Sequence, residues 1–429
     1  MPILPRTAPG RAALSPFVCQ ACQRSLRRFS TTPARRRAPP PPPPSGYARL
    51  ASRRLISLAG PDAPRFLHGI ITQSVIDEPS TSGARHRHNT PPRNLATATT
   101  PNAPGFYSAF LNATGRVLHD VFVYRDTLGL SGAGAADGEA FVIEVDADQV
   151  DALAKHIKRY KLRSKLDFRI LDEGECAAWQ VWDDSSSASS STPSAQLSGL
   201  KDSIVLLDTR APGMGYRVLR RGTADGLDLD LEKSDDDAYR IRRYLLGVAE
   251  GQTEIPREQA LPLESNMDVM GGIDFRKGCY VGQELTIRTR HRGVVRKRIL
   301  PCVLYPSSPP PQKLEYRTSI TEGEGMSADD IPPSLSIGRD GTKGRSAGTW
   351  LRGVGNIGLA LCRLQIMTDV ELPGETAAGA PFNPDADEFV VKWGADEEGG
   401  DGQSVKIKAF VPEWLRERLR DSHNSGNAQ

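Results

Sequence analysis

The sequence predicts an α+β fold that ends in a small β-barrel-like domain, and three observations carry that prediction. Short, partly alternating apolar runs recur between residues 106 and 220 as hairpin candidates, without the strict strand–helix alternation of a parallel sheet. Helical spacing is confined to separate stretches, 148–160 and 234–246. Beyond Arg296 the strand-like runs dominate. The 429 residues suffice for two or three compact domains, and the 38% hydrophobic content is diluted by polar and proline-rich segments.

The leader comes first. Eleven arginines precede the first acidic residue, Asp62. An arginine-rich, acid-free start containing Ser and Thr predicts a mitochondrial presequence over 1–29, with Arg27-Arg28-Phe29-Ser30-Thr31-Thr32 as the processing region and the matrix as destination. Removing it would take away Arg6, Arg11, Arg24, Arg27 and Arg28, turning a net charge of +3 into −2. The basic balance therefore belongs to the leader, which argues against a nucleic-acid partner. Cys19 and Cys22 have the spacing of half a zinc site, with no second pair to complete it. Residues 30–46, with the unbroken run Pro39 to Pro44, read as a stiff linker, and the fold is expected to begin near Tyr47.

Within 47–295, Phe106–Leu111 and Val117–Arg125 flank Asn112-Ala113-Thr114-Gly115 as a β-hairpin. Phe141–Val145 is a strand, followed by a helix over Asp148–Tyr160 with acids early and bases late. Cys176–Trp182, Ile204–Thr209 and Tyr216–Arg220 read as strands, and Ser234-Asp235-Asp236-Asp237 caps a helix that runs to Leu246 before Gly247. Trp179 and Trp182 are expected to share one face of their strand, in the core. Glu264-Ser265-Asn266-Met267 reads either as a stretch lining a ligand pocket or, in the favoured reading, as a helix start with Ser265 as cap. The region 296–415 holds strands at Arg298–Tyr305, Gly358–Leu364, Glu388–Trp393 and Ser404–Phe410. Segments 79–105, 184–199 and 306–346 look like flexible insertions, and 416–429 like a disordered tail. No run approaches the roughly 18 apolar residues of a membrane-spanning helix, so no integral membrane contact is expected.

Cys279 stands out by its surroundings. It lies between Gly278 and Tyr280, with Arg276, Lys277, Arg288, Arg290, His291 and Arg292 on its flanks. Positive charge favours thiolate, the form that attacks electrophiles or binds iron. The competing reading is a small residue packed in a turn among solvated bases. One cysteine cannot hold an iron–sulfur cluster alone, because clusters normally take four protein ligands.

Lys277-Gly278-Cys279-Tyr280-Val281-Gly282-Gln283-Glu284 resembles the signature of the YgfZ-type family, which shares its fold with the glycine-cleavage T-protein, an aminomethyltransferase. Residues 58–69, Leu162-Arg163-Ser164-Lys165, Pro212–Arg217 and Ile357-Gly358-Leu359-Ala360 are similar to further family stretches. The resemblance implies an aminomethyltransferase-like, folate-binding scaffold and a mitochondrial factor that helps mature 4Fe-4S proteins. It implies a transient cluster shared between Cys279 and an A-type assembly protein, with 4Fe-4S apoproteins as recipients. Lys277 and the nearby arginines would stabilise the thiolate, and Gly278 and Gly282 would shape the loop. Tetrahydrofolate is the cofactor so implied, with Asn112, Asp120, Gly278, Tyr280, Gly282, Gln283 and Glu284 as binding residues.

Leu111 to Asp120 resembles the T-protein segment that ends in two adjacent acids, one of them catalytic, but here His119 replaces an acid and only Asp120 remains. Arg217 stands where the T-protein has glutamate after its Gly-Tyr pair. These departures argue against aminomethyl transfer. Asp120 reads either as proton acceptor or folate contact, or as an acid making local hydrogen bonds; Asn112 can bond its own turn. The rival function is a tetrahydrofolate-dependent aminomethyl or one-carbon transferase centred on Asp120. A third is a thiol redox sensor, with Cys302 as the nearest resolving cysteine in sequence.

Overall fold

The computed structural model describes residues 38–76, 103–132, 139–184, 196–222, 225–321, 326–341, 344–371, 382–384, 387–394 and 402–426. The expected presequence, Cys19 and Cys22 lie outside the described residues, as does most of the insertions 79–105 and 184–199.

In chain order the first half contains β1 (Ser45–Arg49), β2 (Arg53–Ala59), α1 (Ala63–Ile70), β3 (Gly105–Leu111), β4 (Val117–Arg125), β5 (Ala140–Asp146), α2 (Val150–Lys161), β6 (Asp167–Ile170), β7 (Cys176–Asp183), β8 (Ser203–Leu207), β9 (Tyr216–Arg221), β10 (Glu232–Ser234) and α3 (Asp236–Leu246). The second half adds α4 (Gln283–Arg292), β11 (Lys297–Tyr305), β12 (Ser336–Arg339), β13 (Gly348–Val354), β14 (Ile357–Arg363), β15 (Phe389–Trp393), β16 (Gln403–Ala409) and α5 (Glu413–Gly426). Two five-stranded sheets result, ordered β3-β4-β5-β2-β6 and β10-β1-β7-β9-β8, followed by a closed barrel ordered β11-β14-β13-β12-β15-β16.

The 3–4 hairpin forms because its two apolar runs pair antiparallel, with a register shift between Phe110 and Leu111 where the turn begins. In β4 the side chains alternate as a pleated strand requires. Val121 and Val123 pack with α1 and α2, whereas Phe122 and Tyr124 turn inward to the central core. Helix α3 starts where the Asp235 side chain accepts from Ala238 N–H and stops at Gly247, whose φ of 74° ends the helical path.

Several expectations need correction. The fold begins before Tyr47, because Ser45 hydroxyl bonds Asp183 and Trp182 indole N–H donates to the Pro43 carbonyl at 2.9 Å, so the end of the presumed linker is part of a sheet. Trp179 and Trp182 sit three residues apart, and a period of two places them on opposite faces. Trp182 enters the central core, while Trp179 packs with Tyr47 and Val218 on the other side of the sheet. Ser265 caps no helix: its hydroxyl donates to the Leu261 carbonyl, while Asn266, at φ 61°, reaches the Ile299 carbonyl on β11.

The segment 306–346 supplies a barrel strand. β12 spans four residues, too short for an alternation signal, yet Ile337 is fully buried and the strand pairs with both β13 and β15. The presumed tail from 416 is helical from Glu413, and Leu415 and Leu419, one helical turn apart, bury on the same face. Arg418 then donates to the carbonyls of Arg210 at 2.7 Å and Val269 at 2.9 Å, which ties the last helix to the first half of the chain.

Candidate functional site

The Cys279 loop is fixed on both sides and leaves its thiol outside. Lys277 Nζ donates to the carbonyls of His68 (2.6 Å), Ile71 (2.8 Å) and Gln73 (3.0 Å), closing off the C-terminal end of α1. A lysine is well suited there, since the last carbonyls of a helix lack partners and carry negative partial charge. The same ammonium lies 4.9 Å from the ring centre of Tyr280, a buried side chain. Val281 N–H then bonds the Gly69 carbonyl at 3.1 Å, and Gln283 closes a turn by offering Oε1 to Tyr280 N–H.

On the other side the loop meets the 3–4 hairpin. Gly282 has φ 80° and opens α4. A Cβ there would run into the Asn112 carbonyl oxygen and come within 2.9 Å of the Leu111 Cβ. Gly115, at φ 81°, is its counterpart across the contact, where a Cβ would lie 2.9 Å from the Gly282 carbonyl oxygen. The hairpin tip is itself rigid, because Asn112 Oδ1 accepts from Thr114 N–H, Thr114 hydroxyl and Arg116 N–H. Of the four described cysteines only Cys279 is exposed.

These contacts reassign several residues. Lys277 gives protons to backbone carbonyls and so anchors the loop. Asn112 is spent on its own turn. Gln283 shapes the loop, Glu284 is exposed in the first turn of α4, and Gly278 is half-buried beside Cys279. Cys302 offers no resolving thiol: it is fully buried in the barrel, with Sγ 4.0 Å from that of Cys362, and burial pushes its thiol pKa up.

Asp120 lies elsewhere, in a buried ionic network between the two sheets. Its Oδ1 accepts from Gly251 N–H at 3.0 Å and Gln252 Nε2 at 3.2 Å, and Oδ2 stands 3.8 Å from Arg53. Arg53 also pairs with Glu144, and Arg217 with both Glu144 (3.2 Å) and Glu250 (2.6 Å). Arg210 joins Asp208 and Glu250, each at 2.7 Å, and Arg243 joins Glu254. Burial pushes the Asp120 carboxyl up, against the pull of Arg53. Glu250 behaves oppositely: burial alone would raise it, but Arg217, Arg210, Arg53 and Arg243 hold it well below the usual range.

Asp120 Oδ2, Arg53 Nη1 and Tyr107 Oη are buried without hydrogen-bond partners among the described residues, which would suit a small polar guest. The aromatic surface needed to stack a ring is already covered: the guanidinium groups of Arg210 and Arg217 lie 4.7 and 4.6 Å from the centre of Phe122. With Phe122 covered in this way, the residues do not fit tetrahydrofolate. His119, which replaces the second T-protein acid, is fully buried next to Gln252, whose Nε2 donates to Asp120 Oδ1.

His119 yields a prediction. Its ring is fully buried and both nitrogens lack hydrogen-bond partners among the described residues. Burial, with Arg257 and His156 adding to it, lowers its pKa to about 3. The unfolded chain, titrating near 6.5, takes up the proton first as pH falls. The neutral ring's contribution is therefore complete above pH 6.5 and erodes towards pH 3. At pH 5 the expected loss is about 2 kcal/mol. The stability difference between pH 7.5 and pH 5, measured by urea unfolding, should be about 2 kcal/mol larger in the wild type than in His119→Leu; an equal difference in both would refute the assignment.

Reasoning from sequence missed the Gly115–Gly282 contact and the ionic network. The one available signal for the network was charge inside apolar strands: Asp120 in β4, Glu144 in β5 and Arg217 in β9.

Residues 296–417 match the family described as the CAF17 C-terminal β-barrel domain. Over 94% of its length the chain is 53% identical to a protein of Pyricularia oryzae named iron-sulfur cluster assembly factor IBA57 homolog, mitochondrial, covering 93% of that protein. Proteins with the same name from Chaetomium globosum (50% identical, 87% of this chain and 84% of the relative) and Neurospora crassa (46%, 97% and 92%) are similar throughout. Among solved structures, the glycine cleavage system aminomethyltransferase T of Bartonella henselae superposes with a TM-score of 0.52 over 87% of each chain, at 11% identity. That likeness establishes the aminomethyltransferase-like fold.

Proposed function

Because the chain belongs to the IBA57 family of mitochondrial iron–sulfur cluster assembly factors, we propose that it acts in the matrix on 4Fe-4S protein maturation, with Cys279 supplying one thiolate to a cluster in transit. The observation that carries this reading is the presentation of Cys279. Its thiol is exposed at the crest of a loop pinned by Lys277 on one flank and by the Gly282–hairpin contact on the other. A rigid mount lowers the ordering cost of forming a shared metal centre.

Clusters normally take four protein ligands, and the other three described cysteines are buried. The remaining ligands then come from a partner, for which an A-type assembly protein is the candidate. The cluster is cargo: it enters on the partner, is held jointly, and leaves for an apoprotein.

Anaerobic reconstitution of the mature chain with an A-type protein should give a complex with visible cluster absorption, and Cys279→Ser should abolish that absorption while the far-ultraviolet circular dichroism stays unchanged. An unchanged absorption spectrum in Cys279→Ser would sink the proposal. One-carbon transfer is the weaker reading, since Arg210 and Arg217 would have to vacate Phe122. It would gain if Asp120→Asn, not Cys279→Ser, removed function.

A further inference from the structure

We infer that the basic face beside Cys279, formed by Arg276 and the solvent side of α4, is the docking surface for an acidic face on the protein that carries the cluster. The inference rests on the reading of Cys279 given above and adds the chemistry of the partner surface.

Residues 276–292 hold Arg276, Lys277, Arg288, Arg290 and Arg292 against a single acid, Glu284, in a chain that is net negative once its leader is gone. Lys277 is consumed by carbonyls. Arg276 and Arg288 are exposed and have no ion pair among the described residues, and His291 is exposed one turn beyond Arg288. Arg290 is half-buried and held over Phe275 at 5.2 Å, which fixes its position on the helix. Basic residues late in α4 suit the helix dipole, but Arg276 lies outside the helix, on the far side of Cys279. Along the chain, cationic residues therefore both precede and follow Cys279.

Ten helical residues extend for about 15 Å, the scale of one patch in a protein interface and not of a long nucleic-acid track. A membrane surface fits less well. An interfacial helix needs an exposed apolar face, whereas on α4 the apolar residues Leu285 and Ile287 are half-buried and, among the described side chains, the exposed ones are Glu284, Arg288 and His291. A cluster bound by thiolates is itself anionic, so the same cations would offset both its charge and that of an acidic protein face. Charges at such a rim act chiefly on the rate and salt dependence of encounter.

The test is binding of a recombinant A-type assembly protein to the mature chain, measured anaerobically between 50 and 300 mM salt, against Arg276→Glu/Arg288→Glu and Cys279→Ser. Affinity for wild type should fall about tenfold or more across that range. The double charge reversal should weaken low-salt binding by about tenfold and flatten the salt dependence, while Cys279→Ser should retain salt-sensitive docking and lose the shared absorption. Wild-type affinity and salt dependence in the charge reversal would overturn the docking surface and leave the Cys279 reading intact. Unchanged absorption in Cys279→Ser would instead overturn the Cys279 reading. Tighter binding to vesicles containing anionic lipid than to the protein would overturn the assignment in favour of a membrane. Thermal denaturation of the charge reversal within 2 °C of wild type is the control for folding.

Discussion

Glu250→Ala is expected to destabilise the protein by about 3–5 kcal/mol, enough to unfold a domain of ordinary stability. The Glu250 carboxylate accepts at one oxygen from Arg210 Nη1 (2.7 Å), Arg217 Nη2 (2.6 Å) and Tyr239 Oη (2.7 Å), and its other oxygen faces Arg243 Nε at 4.0 Å. Truncation leaves these cations inside the protein with too little opposing charge, and burying an unpaired charge costs more than losing an attraction. Glu250→Gln separates charge from shape, because it keeps an acceptor but removes the anion. It should also lose more than about 2 kcal/mol, measured as a drop in urea midpoint at unchanged slope. A Glu250→Gln protein as stable as wild type would show that the network does not rely on this charge. The same carboxylate sets an acid limit. Since its folded pKa lies below the unfolded value near 4.5, the stability it contributes is present above that pH and lost as pH falls.

Gly282→Ala is expected to act on function and stability together. An alanine at φ 80° costs about 1–2 kcal/mol in backbone energy, and its Cβ meets the Asn112 carbonyl, part of a turn locked by three hydrogen bonds to Asn112 Oδ1. Neither side yields cheaply, so the loop and the hairpin must separate. The expected result is a loss of about 3 kcal/mol or more, together with loss of the shared cluster absorption even though Cys279 is intact. A melting temperature within 2 °C of wild type and full absorption would mean that the loop does not depend on this contact.

How far the sequence discloses all this depends on whether the signal is local. The 3–4 hairpin and α3 are legible because pairing partners or capping groups lie within a few residues of one another, whereas four barrel strands are legible from their own apolar runs, although β11 pairs with β14 and β16, about sixty and about a hundred residues further on. β12 escapes notice because four residues carry no periodicity and its partners, Gly348 and Val391, are set by closure of the barrel. The helical end is misread because its polar composition hides Leu415 and Leu419. At the site, Cys279 is conspicuous in the sequence, and its exposure agrees with that. The partners of Lys277 lie more than 200 residues away, and no local pattern announces them.

The pairing of β11 with β16 sets an order of events during synthesis. Residues 45–292 contain both open sheets and the whole Cys279 loop, and these can assemble as the chain emerges. The first strand of the barrel, by contrast, must wait for Gln403–Ala409 before its second edge is covered. Until about a hundred further residues have arrived, Lys297–Tyr305 is an apolar strand with an open edge, the kind of surface that chaperones hold and that aggregation exploits. A premature stop just before β16 would spare the cysteine loop in sequence and still leave a sticky, unfinished protein.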